Sequence, residues 1–203
     1  VGCDSDGCEC KSEGSGAAVA EVTIYDLWSD LLLYPGEGYL AELRELGAKL
    51  EETHPEAMLL LASLTRTIAK LSVEGREEFF TRTFDINPVA SLDIGWHLYG
   101  ETYQRGSFLV EMRGLLRHYG VEESGELPDN LNHALRLLGR MAQKERVAFA
   151  QERVMPALDK IIEGFEGREN AYEGLLAALR SFLVEEVGKP EEIAQQSGGA
   201  FSV

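Results

Sequence analysis

The chain has 203 residues, 44% of them hydrophobic, and a formal net charge of -16. That apolar share excludes disorder throughout and suits one globular domain, and no run approaches the roughly 18–20 apolar residues of a membrane helix. The acidity disfavours nucleic acid and anionic lipid, both of which need a basic patch.

Two meanings of the charge stay open: it steers a basic partner towards the protein, or it only keeps the chain soluble. All three cysteines, Cys3, Cys8 and Cys10, lie in the first ten residues. The body therefore has no disulfide framework and fits a reducing compartment. With a polar, glycine-rich start that lacks the apolar core of a secretory signal, the expectation is a cytoplasmic protein.

Residues 1–17 read as a flexible Cys/Gly-rich tail. Their Cys-x4-Cys-x-Cys spacing offers three thiolates to a soft metal, one ligand short of a closed zinc site. Helical periodicity starts near Ala18 with Val19, Val22, Leu27, Leu31 and Tyr34, and Pro35-Gly36 ends it. A second helix carries Leu40, Leu43, Leu46 and Leu50. A third opens with Thr53-His54-Pro55-Glu56, the pattern of a capping box with proline in the first turn. It runs through Leu60, Leu64, Ile68 and Leu71 until Gly75 breaks it, and a short helix follows over about Arg76 to Thr83.

Asn87-Pro88 reads as an N-cap with proline in the first turn of a helix reaching Tyr99, and Gly100 stops it. A long amphipathic helix spans about Thr102 to Tyr119, with Phe108, Leu109, Met112, Leu115 and Leu116 on one side. After a polar loop, a helix carries Leu131, Leu135 and Leu138. From Ala142 to Phe165 the pattern stays helical, although Pro156 predicts a kink or break. The last helix covers about Asn170 to Val187, and Gly188-Lys189-Pro190 stops it. Residues 189–203 read as a second tail. With no β-alternation and no fixed repeat, the expectation is all-α: a single bundle of about eight or nine helices over residues 18–188.

The motifs of chemistry are absent. There is no phosphate-binding glycine loop, no His-Glu-x-x-His, no nucleophile elbow, and no cysteine in the body. The four histidines, His54, His97, His118 and His133, are scattered. Glu51-x-x-His54 is only half of a di-iron pair and sits at a helix boundary. The residues by themselves lead only to an acidic all-α binding protein; the expectation is that it is not an enzyme and has no cofactor. The alternative is a helical metal-binding or redox protein using scattered His and Cys ligands.

A series of short motifs then resembles the NarJ/TorD family of molybdoenzyme assembly chaperones, closest to its nitrate reductase (delta-subunit) branch. These are Leu31-Leu32-Leu33-Tyr34-Pro35, Phe80-Thr81-Arg82-Thr83-Phe84-Asp85, Ser91-Leu92, His97-Leu98-Tyr99-Gly100, Arg105-Gly106 and Leu127-Pro128-Asp129. Asn130 and Asn132 depart from the residues common there, histidine and proline. The resemblance covers roughly residues 20–165 and implies a TorD-like helical bundle, monomeric or homodimeric. It also implies a function: binding the N-terminal, twin-arginine-like segment of an apo catalytic subunit and holding that subunit for molybdenum cofactor insertion.

Carried onto this sequence, it makes Phe84 and Asp85 the turn that borders a peptide groove. Trp96 and Tyr99 line the groove or pack in the core. Asp129 meets a client arginine or caps the helix it opens. Arg105 pairs with a nearby carboxylate such as Asp85. His97, Leu127, Pro128 and Asn130 complete the candidate peptide-binding set.

Overall fold

In a computed structural model, residues 22–188 are described and are all-α, with no strand among them. Both expected tails, with Cys3, Cys8 and Cys10, lie outside the described residues, as do residues 18–21. The α-helices are α1 Ile24–Asp30, α2 Tyr39–Thr53, α3 Pro55–Ile68, α4 Val73–Phe80 and α5 Ile94–Tyr99. They continue with α6 Tyr103–His118, α7 Leu131–Arg140, α8 Gln143–Phe149, α9 Met155–Glu163 and α10 Ala171–Val187. A π-helical turn, Thr81–Asp85, extends α4, and another, Ala150–Val154, joins α8 to α9 without a break. Counted as continuous segments, the described residues form nine helices, within the expected number.

The core is a leucine-rich seam between α3 and α10, closed by Trp28, Tyr39, Tyr172 and Phe182, all fully buried or nearly so. Tyr39 donates its hydroxyl to the Leu31 carbonyl at 2.9 Å. Two ion pairs tie α1 to α7: Arg140 forks onto Asp26 at 3.0 and 3.1 Å, and Arg136 reaches Asp30 at 2.7 Å.

Several local expectations are corrected. α1 begins only after Thr23, which forms a reciprocal capping box with Asp26, so Val22 stays outside and exposed. α1 also ends early. Three-residue bonds from Leu32 to Ser29 and from Leu33 to Asp30 tighten the chain, and Tyr34 is exposed. The box expected at Thr53 does not form: Thr53 ends α2 and donates its hydroxyl to the Lys49 carbonyl. Gly75 does not break a helix. It lies in the first turn of α4, where its N–H donates to the Ser72 hydroxyl at 3.2 Å, and the break falls just before.

Asn87-Pro88 starts only the 3-10 turn Pro88–Ala90, and α5 begins six residues later than expected. Pro156 does not end the helical run: the π turn Ala150–Val154 continues directly into α9, and Pro156 sits in the first turn of α9. Gly100 does end α5. Its φ of 60° with ψ of -149° is open only to glycine, although it is not the left-handed helical cap.

Candidate functional site

The late start of α5 has a cause that shapes the site. Residues 92–94 are drawn into an antiparallel bridge with residues 129–131: Ile94 N–H donates to the Asp129 carbonyl at 2.9 Å and Leu131 N–H to Leu92 at 2.8 Å. Extended backbone here cannot also be helix, so α5 waits until the bridge ends. Gly95 permits the close approach, because a Cβ there would overlap Asp129 Oδ2. The bridge thus clamps the start of α5 to the start of α7, more than thirty residues away in sequence.

A groove of about 400 Å³ opens beside the clamp. The α1–α2 connection supplies Leu32, Leu33 and Tyr34 as one wall. The α4 extension supplies Phe80, Phe84 and Asp85, and the bridge supplies Ser91, Leu92 and Asp93. Glu126 and Asn130 close the end towards α7. A second hollow of about 270 Å³ shares Phe84, Asp85, Ser91 and Asp93 with the first and extends it over Pro88, Trp96 and Arg105. The two make one continuous depression.

Its floor is rigid. Phe84 is buried, edge-on to Phe80 at 5.0 Å and to Tyr172 at 4.8 Å, which ties the groove to the core. Its rim is acidic. Asp85 is exposed, and neither it nor the Glu126 carboxylate has an ion-pair partner among the described residues.

Arg105 bridges two carboxylates. Its Nη2 reaches Asp93 Oδ2 at 3.1 Å and its Nε reaches Asp129 Oδ2 at 3.3 Å, while the guanidinium lies 5.6 Å from the Trp96 ring centre. Asp129 is fully buried, and its other oxygen, Oδ1, has no hydrogen-bond partner. Burial, with Asp93 beside it, pushes the Asp129 carboxyl above the ordinary aspartate range against the pull of Arg105.

His97 lies behind the groove and donates from Nε2 to the Ser91 carbonyl at 2.7 Å, which fixes the strand-like turn. Burial lowers its pKa. His133 pins the loop before α7: its Nε2 accepts from the Ser124 N–H at 3.0 Å and its Nδ1 donates to the Leu127 carbonyl at 3.0 Å. Burial lowers its pKa too.

The fold therefore brings Phe84, Asp85, Trp96, Arg105 and Asn130 to one depression and separates the rest. Tyr99 turns to the core side against Phe108 at 5.4 Å, and Pro128 is buried. Leu127 is exposed but does not line the groove. Asp129 is corrected on one count. The residue that caps α7 is Asn130, whose Oδ1 accepts from Asn132 N–H at 3.1 Å. Arg105 does pair with nearby carboxylates, but these are Asp93 and Asp129 and not Asp85.

Sequence reasoning missed Asp93, Glu126 and the Leu32–Tyr34 wall as site residues. The Leu-Leu-Leu-Tyr-Pro run carries part of the family resemblance, but its place in the groove shows only in the fold. Among the described residues no group of three or more His, Cys, Asp or Glu side chains is placed to hold a metal ion. None of their helices is long and apolar enough to cross a membrane.

The family model described as nitrate reductase delta subunit matches residues 48–188. The chain is 25% identical over 176 residues to the nitrate reductase molybdenum cofactor assembly chaperone NarJ of Escherichia coli (strain K12), covering 83% of this chain and 74% of that one. The protein of the same name from Escherichia coli O157:H7 matches to the same extent.

Proposed function

Because the chain belongs to the nitrate reductase delta subunit family, we propose that it is a molybdenum cofactor assembly chaperone for a nitrate reductase or a related molybdoenzyme, and that the groove receives the N-terminal segment of the apo catalytic subunit. The observation that carries this reading is the pairing of a rigid apolar floor with a rim of unpaired carboxylates. An amphipathic helix with a basic edge is complementary to such a surface. Its apolar residues bury against Phe80, Phe84, Leu92 and the Leu32–Leu33 wall, and its cations meet Asp85 and Glu126.

The rest of the surface supports the same role. A net charge of -16 speeds encounter with a basic segment and repels an acidic one, and the effect weakens as salt shortens the range of the field. Binding and release of a segment need no acid, base or nucleophile from the chaperone, only a groove that excludes water from the client's apolar face.

The test is calorimetric titration with synthetic peptides from the N-termini of molybdoenzyme catalytic subunits. The expected result is a dissociation constant of about 1 µM or tighter at low salt, weakened as salt rises. No binding to any such peptide at low salt overturns the proposal.

A further inference from the structure

The groove has one feature that client binding by itself does not explain. Its best site for a cation is already taken, by a residue of the chain itself. The half-buried indole of Trp96 offers a face, Asp93 Oδ2 offers a carboxylate, and the Arg105 guanidinium sits against both. A planar, delocalised cation with several N–H groups fits an aromatic face and a carboxylate together, as an ammonium does not. The subsite is therefore shaped for a guanidinium.

A second observation gives Arg105 somewhere else to go. Asp129 engages Arg105 through Oδ2 alone, at 3.3 Å from Nε, and its buried Oδ1 is without a partner. A carboxylate with a free oxygen beside a guanidinium has half of a two-pronged pair unmade. The two carboxylates also differ in exposure, with the Asp93 side chain 23% exposed and that of Asp129 0%. Water screens the first pair and hardly reaches the second.

We propose that Arg105 is a built-in surrogate for the client's cation: it fills the guanidinium subsite on Trp96 and Asp93 while the groove is empty, and a client arginine takes that subsite as Arg105 withdraws to grip Asp129 with two nitrogens. This rests on the reading that the groove receives a basic segment. The exchange gives each carboxylate a cation of its own, where Asp93 and Asp129 share Arg105 in the client-free groove. It also sets specificity. A client arginine replaces Arg105 like for like, whereas a lysine delivers a point charge that cannot both stack and fork. In the client-free protein the surrogate covers the indole and neutralises Asp93, which blocks weakly complementary segments.

The test uses the two tryptophans. Trp28 is fully buried and Trp96 faces the groove, so a small ligand entering there changes the emission of Trp96. N-acetyl-arginine amide is titrated into the full chain, with the lysine and citrulline analogues as controls. The same is done with Arg105→Gln. If Arg105 is a competitor, Arg105→Gln binds the arginine probe about tenfold more tightly and the citrulline probe no better. Because that variant leaves Asp129 buried without a cation, Arg105→Gln combined with Asp129→Asn is measured in parallel, and the same gain is expected. Asp129→Asn alone removes the retreat, and the arginine probe should bind several-fold more weakly.

A folded Arg105→Gln or double variant that binds the arginine probe no better than the unaltered chain overturns the proposal, and so does an equal gain for citrulline. The outcome is separable from the client reading. If no client peptide binds but the arginine-specific gain appears, the surrogate stands and the client assignment falls.

Discussion

Gly95→Ala tests the clamp on which the groove depends. A methyl group at 95 would overlap Asp129 Oδ2 and stand 2.8 Å from Phe108 Cδ1. Neither neighbour yields easily. Asp129 is held by its backbone bond to Ile94 and its pair with Arg105, and Phe108 is buried against Tyr99. Replacing glycine with alanine within a helix ordinarily stabilises by up to about 1 kcal/mol. Forcing a methylene-sized group into a packed interior costs about 1–3 kcal/mol, and weakening the Arg105 pair of a buried carboxylate adds to that cost.

The net expectation is a loss of about 1–3 kcal/mol. The assay is urea denaturation followed by circular dichroism, with the midpoint lowered and the slope unchanged. Gly106→Ala is the internal control, because nothing lies within 4 Å of a Cβ placed there on α6. It should stabilise by about 0.5–1 kcal/mol. A Gly95→Ala protein as stable as the unaltered chain, or more stable, refutes the clamp as described.

Acidification should loosen the same region. Burial lowers the pKa of both His97 and His133, so the unfolded chain binds more protons than the folded one as pH falls below the ordinary histidine value of about 6.5. Stability is therefore full above that value and falls progressively below it until the lowered folded pKa values are passed, and His133→Gln should remove part of the slope in urea midpoint against pH. On the groove rim, Asp85→Asn and Glu126→Gln should each weaken a basic client peptide by about two- to fivefold at low salt, as expected for one exposed ion pair. Both should also flatten the salt dependence, and calorimetry at two ionic strengths reads the two effects together.

The fold was legible because the helices obey local rules. The apolar periodicity of α2, α6 and α10 maps onto buried Leu43, Leu46 and Leu50, onto Phe108, Met112 and Leu116, and onto Leu175, Leu179 and Phe182. Helix starts were less legible. A cap is a competition among nearby side chains, and sequence does not say which one wins. Thr23, Ser72 and Asn130 make cap bonds, while Asn87 and His54, in similar contexts, make none. The delayed start of α5 was invisible because its cause is a bridge to residues far away in sequence.

The same physics divides the site. Phe84 and Arg105 belong to short motifs of one stretch, Trp96 stands next to another, and the fold keeps the three together. Asp93 and Glu126 look like ordinary surface acids in the sequence, since only the bridge and the loop pinned by His133 bring them to the groove. Arg105 finds carboxylates other than Asp85 for a related reason. Asp85 is on the neighbouring turn, but the carboxylates within reach are those that the clamp places beside α6.

The central claim is that this groove holds the client segment, and photocrosslinking tests it most directly. A client N-terminal peptide carrying benzoyl-phenylalanine at an apolar position is irradiated with the protein at low salt, and the joined residues are read by mass spectrometry. The account predicts attachment within residues 32–34, 80–96 and 126–130, lost when unlabelled peptide competes. Attachment concentrated elsewhere, such as the exposed Leu59 side of α3 or the exposed Tyr103 and Val110 face of α6, would contradict it.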